Sequence, residues 1–271
     1  MPAPPVLQIA SASGNVFGYL WKAEMPANFD GPRWAQILCP RGRGLGLDGI
    51  FLVEEPSQER PWRMEHWDAD GSETFCSNGT RAALALRGAP GSDLVQVESN
   101  RLPVLLRREE KAVGLRLPED EECGFHPVEI GIQEPWAYGW IGNPQLVIEV
   151  AKVDEIDLPT YAPPLRSHPA LPAGANVNVL EVLGPGQARI RSWERGVEGE
   201  TLCCGTGCAV AGAWLARRSG VRRWSFLTAG TDPVAVEIGA IEGSRWKDLW
   251  LSGPVLRIGA VESDASLWSV G

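Results

Sequence analysis

Histidine is scarce in this chain: there are only three, His66, His126 and His168, all distant in sequence from its densest run of cysteines. That absence weighs against zinc at Cys203, Cys204 and Cys208, because a mixed site would need imidazoles close by. No Cys-x-x-Cys pair is present, which argues against a dithiol redox function. No apolar run approaches the roughly 20 residues needed to cross a bilayer, so no membrane association is expected. Basic residues are outnumbered, with 25 Lys and Arg against 34 Asp and Glu and a net charge of −9. Nucleic-acid binding needs a basic footprint and is therefore not expected. The opening Met1-Pro2-Ala3-Pro4-Pro5 lacks a basic n-region and an apolar h-region, so a cytoplasmic location is the default expectation.

What is present is the composition of a globular protein. Hydrophobic residues make up 44% and charged residues 22% of 271 positions, enough for one large domain or two ordinary ones. Six cysteines (Cys39, Cys76, Cys123, Cys203, Cys204 and Cys208) could form disulfides, but in a cytosolic chain free or catalytic thiols are expected. The twelve tryptophans are mostly scattered singly and read as core filler. Strands are expected at 6–10, 17–21, 50–54, 95–98, 104–107 and 113–117, and again at 128–132, 137–141, 146–150, 177–182 and 188–193. Four more, at 224–228, 234–238, 249–252 and 255–258, close the chain. Helices are expected at 34–38, 80–86 and 204–217, and the proline-rich stretch 159–172 reads as loop with one helical turn. The acidic run Pro118-Glu119-Asp120-Glu121-Glu122 is the expected crossover between halves. Short strands with one strong helix per half indicate α+β architecture rather than alternating βαβ units.

Two segments nearly repeat each other. Glu73-Thr74-Phe75-Cys76-Ser77-Asn78-Gly79-Thr80 is echoed by Glu200-Thr201-Leu202-Cys203-Cys204-Gly205-Thr206-Gly207. Each sets a cysteine before a small turn that opens an Ala-rich helical stretch. A thiolate at a helix N-terminus is favoured by the dipole and by unpaired backbone N–H groups. One such unit in each half suggests duplicated domains that present two thiols to a small anionic ligand across a cleft. Removing and returning a proton on opposite faces of a carbon needs a base and an acid, and two thiols can exchange those parts. The turns Ser77-Asn78-Gly79 and Gly205-Thr206-Gly207 offer backbone N–H groups for a substrate carboxylate without any metal.

These segments resemble the two signatures of the diaminopimelate epimerase family. The first is Asp70-Gly71-Ser72-Glu73 with Cys76-Ser77-Asn78-Gly79-Thr80-Arg81, and the second is Glu194-Arg195-Gly196 through Cys204-Gly205-Thr206-Gly207. The similarity extends in order through Ser13-Gly14-Asn15, Gly44-Leu45-Gly46-Leu47-Asp48-Gly49, Gly142-Asn143-Pro144 and Asn176-Val177-Asn178. It implies two similar pseudo-symmetric domains, each a curved mixed or antiparallel sheet wrapped around a central helix. Residues 1–119, completed by about 257–271, would form one and 120–256 the other. It also implies no pyridoxal phosphate, no metal and no other cofactor. Cys76 and Cys204 match the catalytic thiols, and Glu194 matches a carboxylate that assists binding or proton transfer. Asn15, Asn143, Asn176 and Arg195 fall on substrate-binding positions, beside the turn residues Ser77, Asn78, Gly205 and Thr206.

Three positions depart from the family pattern. Gln145 stands where histidine is usual, and an amide cannot carry a proton at neutral pH. Asp68 replaces an asparagine, placing there a carboxylate that attracts an ammonium and repels a carboxylate. Ser77 replaces a glycine, and the Ser72–Cys76 spacing is one residue short. Interconversion of LL- and meso-diaminopimelate is the leading expectation, with Arg195 as a buried guanidinium for the second carboxylate. A two-thiol racemase of another amino acid, such as histidine, is the alternative that Asp68 and Gln145 motivate. A non-catalytic amino-acid-binding homologue is the third. The expected partner is a small-molecule amino acid, with homodimerisation left open.

Overall fold

The computed structural model describes residues 5–87, 94–110, 112–230 and 233–262. It divides into two compact units, one running to Val113 and rejoined by the chain from Val255, the other Gly114–Pro254.

In the first unit, β1 (Val6–Ala12) and β2 (Asn15–Trp21) form a hairpin. Ser13 (φ 53°) and Gly14 (φ 90°) close it in the left-handed region, as a two-residue turn between right-twisted strands requires. Helix α1 (Gly31–Leu38) follows, started by the Asp30 carboxylate, which accepts from Arg33 N–H at 3.2 Å. It carries Trp34, Ala35 and Leu38 into a core with Leu20, Ile50 and Leu52. Strand β3 (Gly49–Glu54) lies parallel to β2, β4 (Trp62–Asp68) is antiparallel to β3, and helix α2 (Ser77–Arg87) crosses to β5 (Leu94–Ser99), parallel to β4. Strand β6 (Leu102–Arg108) returns antiparallel, and the strand Val255–Glu262 pairs antiparallel with β1.

The second unit contains β7 (Val113–Arg116), β8 (Gly124–Phe125), β9 (Trp136–Trp140), β10 (Pro144–Glu149), helix α3 (Leu158–Arg166), β11 (Asn176–Gly184), β12 (Gln187–Glu194), β13 (Gly199–Thr201), helix α4 (Gly205–Ser219), β14 (Arg223–Leu227), β15 (Val234–Glu242) and β16 (Arg245–Gly253). The strand Val255–Glu262 of the first unit is then β17. Along the row β17-β1-β2-β3-β4-β5-β6 the pairings run antiparallel, antiparallel, parallel, antiparallel, parallel, antiparallel. The row β8-β9-β10-β11-β12-β14-β15 gives the same series. Helices α1 and α3 occupy the same step of the repeat, and so do α2 and α4. The units are two copies of one topology, in an α+β fold.

Helix α4 shows how each sheet wraps its helix. From Gly205 to Ala216 every residue is buried, so the helix needs small or apolar groups all round. Gly212 has no room for a side chain, since a Cβ would lie 2.8 Å from Val236. The helix ends at Gly220 (φ 79°), whose N–H reaches Ala216 O at 2.8 Å.

Three expectations need correction. Residues 158–166 form a helix despite Pro163 and Pro164, because Leu158, Ala162 and Leu165 seat one face in the core. Burial of that face offsets the two missing N–H donors. Residues 128–132 bury Ile130 but join no ladder, being preceded by Pro127 and interrupted by Gly131 at φ 65°. Strand β4 was not anticipated: its inward positions Met64 and His66 include a polar ring, and Arg63 and Glu65 alternate with them. Of the segment 257–271, residues 263–271 lie outside the described residues.

Candidate active site

Strand β4 delivers Asp68 to a turn in which the Asp70 carboxylate accepts from the N–H (2.8 Å) and hydroxyl (2.6 Å) of Ser72. The chain doubles back so that Glu73 bridges to Trp67. The Thr74 hydroxyl donates to Asp68 Oδ2 at 2.8 Å, and the ring of buried His66 sits 3.0 Å from Thr74 O through Nδ1. Two residues on, half-buried Cys76 precedes α2. Its carbonyl accepts the first helical bond, from Thr80 N–H at 3.0 Å, and its sulfur accepts the N–H of Gly79 at 3.5 Å. Gly79 must be glycine here, since a Cβ would lie 2.2 Å from the Phe51 ring. Asn78 donates to Asn15 Oδ1 (2.9 Å) and accepts from the fully buried Arg81 (2.9 Å), which also donates to Ser13 Oγ.

The second unit builds the same frame. Glu194 ends β12, the Thr201 hydroxyl donates to its carboxylate at 2.5 Å, and Cys204 caps α4. The Cys204 carbonyl accepts from Cys208 N–H at 3.0 Å. Gly207 N–H is directed to the sulfur, as Gly79 N–H is in the first unit. Gly207 is confined by Asn178, whose Oδ1 lies 2.1 Å from where a Cβ would stand. Around Cys204 Sγ lie Gln145 Oε1 (3.7 Å), Thr206 Oγ1 (3.7 Å) and Asn176 Nδ2 (3.9 Å). Gln145 Nε2 donates to Asn143 Oδ1 (2.7 Å) and Thr206 Oγ1 (3.0 Å). Asn176 Oδ1 accepts from Arg195 N–H at 2.8 Å.

Strand register aligns the two frames residue by residue. Phe17 faces Gly49 and Gln145 faces Asn176; Phe51 faces His66 and Asn178 faces Ser192. Asn15 thus corresponds to Asn143, Asp68 to Glu194 and Thr74 to Thr201. The interiors differ: Phe17, Phe51 and His66 form an aromatic cluster with centroids 4.5–5.9 Å apart, where the second unit has Gln145, Asn178 and Ser192.

Electrostatics alter the expectation for one thiol. Burial, and then the Glu194 charge, push Cys204 well above the ordinary thiol range, outweighing the Gly207 N–H and Thr206 that favour the anion. Cys204 is therefore a thiol at neutral pH, and the helix N-terminus does not make it a thiolate. Cys208 is also pushed up, chiefly by its hydrogen bond with Cys203 and then by burial. Burial pushes His66 down, so its ring is neutral at pH 7, although Asp68 opposes this.

The structure gathers Cys76, Ser77, Asn78, Asn15 and Asp68 in one unit, and Cys204, Gly205, Thr206, Gln145, Asn143, Asn176, Glu194 and Arg195 in the other. Arg195 is not buried as anticipated: it is exposed, with one guanidinium arm on Ala173 O. Sequence reasoning did not single out Thr74 and Thr201, although both stand in the echoed Glu-Thr pairs. Asn178 stands in the Asn176-Val177-Asn178 motif, but sequence reasoning gave it no role, and Ser192 lies in no motif. Among the described residues, no cluster of three or more His, Cys, Asp or Glu is arranged to hold a metal ion, and no helix is long and apolar enough to cross a membrane.

Solved structures share this fold over nearly the whole chain. A phenazine biosynthesis protein of the PhzF family from Bacillus anthracis superposes with a TM-score of 0.70 at 17% identity, covering 97% of this chain and 100% of that one. A hydroxyproline epimerase from Agrobacterium vitis, with bound trans-4-hydroxy-L-proline, gives 0.69 at 13% identity, covering 97% and 92%. The architecture is the two-unit fold used by amino-acid epimerases and racemases. A family model described as diaminopimelate epimerase matches residues 138–237. The diaminopimelate epimerase of Gemmatimonas aurantiaca is 32% identical over 250 residues (84% of this chain, 83% of its own), and that of Pelotomaculum thermopropionicum is 33% identical over 250 residues (83% and 86%). The chain belongs to the diaminopimelate epimerase family, and it is an isomerase, an epimerase or racemase of that family.

Proposed function

We propose that the protein interconverts LL- and meso-diaminopimelate by a two-base mechanism, without pyridoxal phosphate or metal, and so serves lysine and peptidoglycan synthesis in the cytoplasm. The observation that carries the mechanism is the repeated frame: in each unit a cysteine precedes the central helix with a glycine N–H on its sulfur. One thiolate takes the α-proton while the other thiol delivers its proton to the opposite face. The α-carbon is inverted and the two thiols exchange protonation states. The N–H groups at the starts of α2 and α4 hold the α-carboxylate, whose charge grows as the α-carbon gains carbanion character. Asn15, Asn78, Asn143 and Asn176 orient the substrate's polar groups, Ser77 and Gly205 add small N–H donors, and Glu194 assists binding or proton transfer. Asp68, fixed by Thr74 and with its side chain 44% exposed, meets the distal ammonium, and exposed Arg195 meets the distal carboxylate.

Asp68 also motivates a second reading, in which the substrate is a different amino acid with a cationic or imidazole side chain. Exchange at the α-carbon in D2O, followed across a panel of amino acids, separates the two. Exchange with diaminopimelate alone supports the first, and exchange confined to another amino acid supports the second. Exchange with none would overturn both.

A further inference from the structure

Beneath Cys204 lies a chain of side chains whose orientation is fixed from the backbone upward. Asn178 Nδ2 donates to the carbonyl of Leu146 at 3.2 Å. A carbonyl only accepts, so the Asn178 amide has one orientation. Its Oδ1 accordingly accepts from Ser192 Oγ at 2.7 Å, and the same Nδ2 reaches Gln145 at 2.9 Å, where it must meet the oxygen, Oε1. Both N–H groups of Gln145 are taken by Asn143 and Thr206. What Gln145 presents to Cys204 at 3.7 Å is therefore an acceptor oxygen. An acceptor there holds S–H and repels S⁻; a reversed amide would aim N–H at the sulfur and favour the thiolate.

We propose that Asn178 and Ser192 are positioning residues that lock the Gln145 amide with its oxygen toward Cys204, so that Cys204 rests protonated as the acid of the pair. The assignment rests on the two-thiol reading above and deepens it. Among the described residues, the groups around this sulfur come from several elements, and Cys208 of α4 also interacts with it electrostatically. Gln145 comes from β10 and Asn176 from β11, with the Glu194 charge from β12. Thr206 and the Gly207 N–H come from α4, and Cys203 adjoins in the chain. Glu194 and Cys203 act in the same sense as Gln145; Thr206 and Gly207 oppose them. In the first unit Phe17, Phe51 and His66 fill the corresponding positions. The layers beneath the two thiols therefore differ although their backbone frames are similar. The amide cannot return a proton to Cys204, so after a turnover that leaves it as thiolate the resting form is regained through substrate or solvent.

Alkylation by iodoacetamide tests this without substrate, with each cysteine read separately by peptide mass. The pH midpoint of labelling reports thiolate formation, whereas access alone changes only the rate. In the unaltered protein the Cys204 midpoint is expected above that of Cys76. Asn178→Ala frees the Gln145 amide to turn, and the Cys204 midpoint should fall by about one unit, a tenfold gain in thiolate below the midpoint. The Cys76 midpoint should stay in place, which a general loosening would not achieve. Ser192→Ala should shift the Cys204 midpoint in the same direction by less, and Ser192→Thr, which keeps the hydroxyl, should restore it. An unmoved Cys204 midpoint in folded Asn178→Ala overturns the proposal. If that variant does not fold, an unmoved midpoint in Ser192→Ala, or a Cys204 midpoint below that of Cys76 in the unaltered protein, does the same. Failure of racemisation with every amino acid would leave these curves unchanged, so the two readings fail separately.

Discussion

Cys76 and Cys204 each receive a glycine N–H at the sulfur, and in the proposed mechanism each supplies the acid or base for one face of the α-carbon. Cys76→Ala and Cys204→Ala should each abolish inversion, measured by polarimetry or chiral chromatography; a rate near wild type in either would end the two-thiol account. Because burial and Glu194 raise the Cys204 pKa, and one of the two thiols must stay protonated to act as acid, kcat/KM should hold into the alkaline range and fall only as Cys204 loses its proton. Forward and reverse share one equilibrium constant, so both directions should show the same alkaline limb; a limb at or below the ordinary thiol range would contradict this. At Asp68, asparagine restores the commoner family residue but removes a charge held by Thr74. If diaminopimelate is the substrate, Asp68→Asn should keep kcat/KM within about tenfold, roughly 1.4 kcal/mol of transition-state stabilisation. If another amino acid is the substrate, activity on that compound falls and activity on diaminopimelate rises.

The cysteine–turn–helix element depends on glycine for its tight approach to the sheet. Gly79→Ala would drive a methyl into the Phe51 ring, and Gly207→Ala would drive one into Asn178. Each should cost about 1–3 kcal/mol by overpacking, read as a lower urea midpoint. Gly207→Ala should also lower kcat, because the displaced Asn178 contacts the Gln145 amide beside Cys204. These elements were legible in the sequence because the echo of Glu73–Thr80 in Glu200–Gly207 combines a local chemical motif with a strong helix signal. Helix α3 was not legible, since the prolines at 163 and 164 argue against helix and only tertiary burial of Leu158, Ala162 and Leu165 overrides them. Residues 128–132 show the converse: alternating burial arises there without a partner strand. The thiols, asparagines and Glu194 could be read from motifs. The contacts of Asn178, although it stands in a motif, and of Ser192 could not, because they depend on cross-strand register, which a single sequence does not display.

At the scale of the whole molecule, the repeated pairing order of the two units places a thiol at the same topological point twice, while the corresponding interior positions are aromatic in one unit and amide or hydroxyl in the other. The buried thiols outside the site set a further property. Burial pushes both Cys39 and Cys123 from 9.0 to about 12. A thiol whose pKa is higher when folded adds stability that is fully present below about pH 9 and lost as pH rises toward 12. Urea stability should therefore decline with pH above 9, with one proton released on unfolding for each such thiol. Cys39→Ala and Cys123→Ala should each flatten that decline; an unchanged slope would show that these thiols do not titrate on unfolding.

The central claim, that two separate groups act on the two faces of one carbon, is tested most directly by the fate of the α-hydrogen. Unlabelled substrate is turned over in D2O, and the deuterium content of both stereoisomers is read by NMR at low conversion. If Cys76 and Cys204 act as separate acid and base, the newly formed isomer carries solvent deuterium at the α-carbon while the unconverted isomer keeps its protium. Deuterium entering both isomers equally from the start, or protium carried through into the product, would mean a single group serves both faces and would contradict the account.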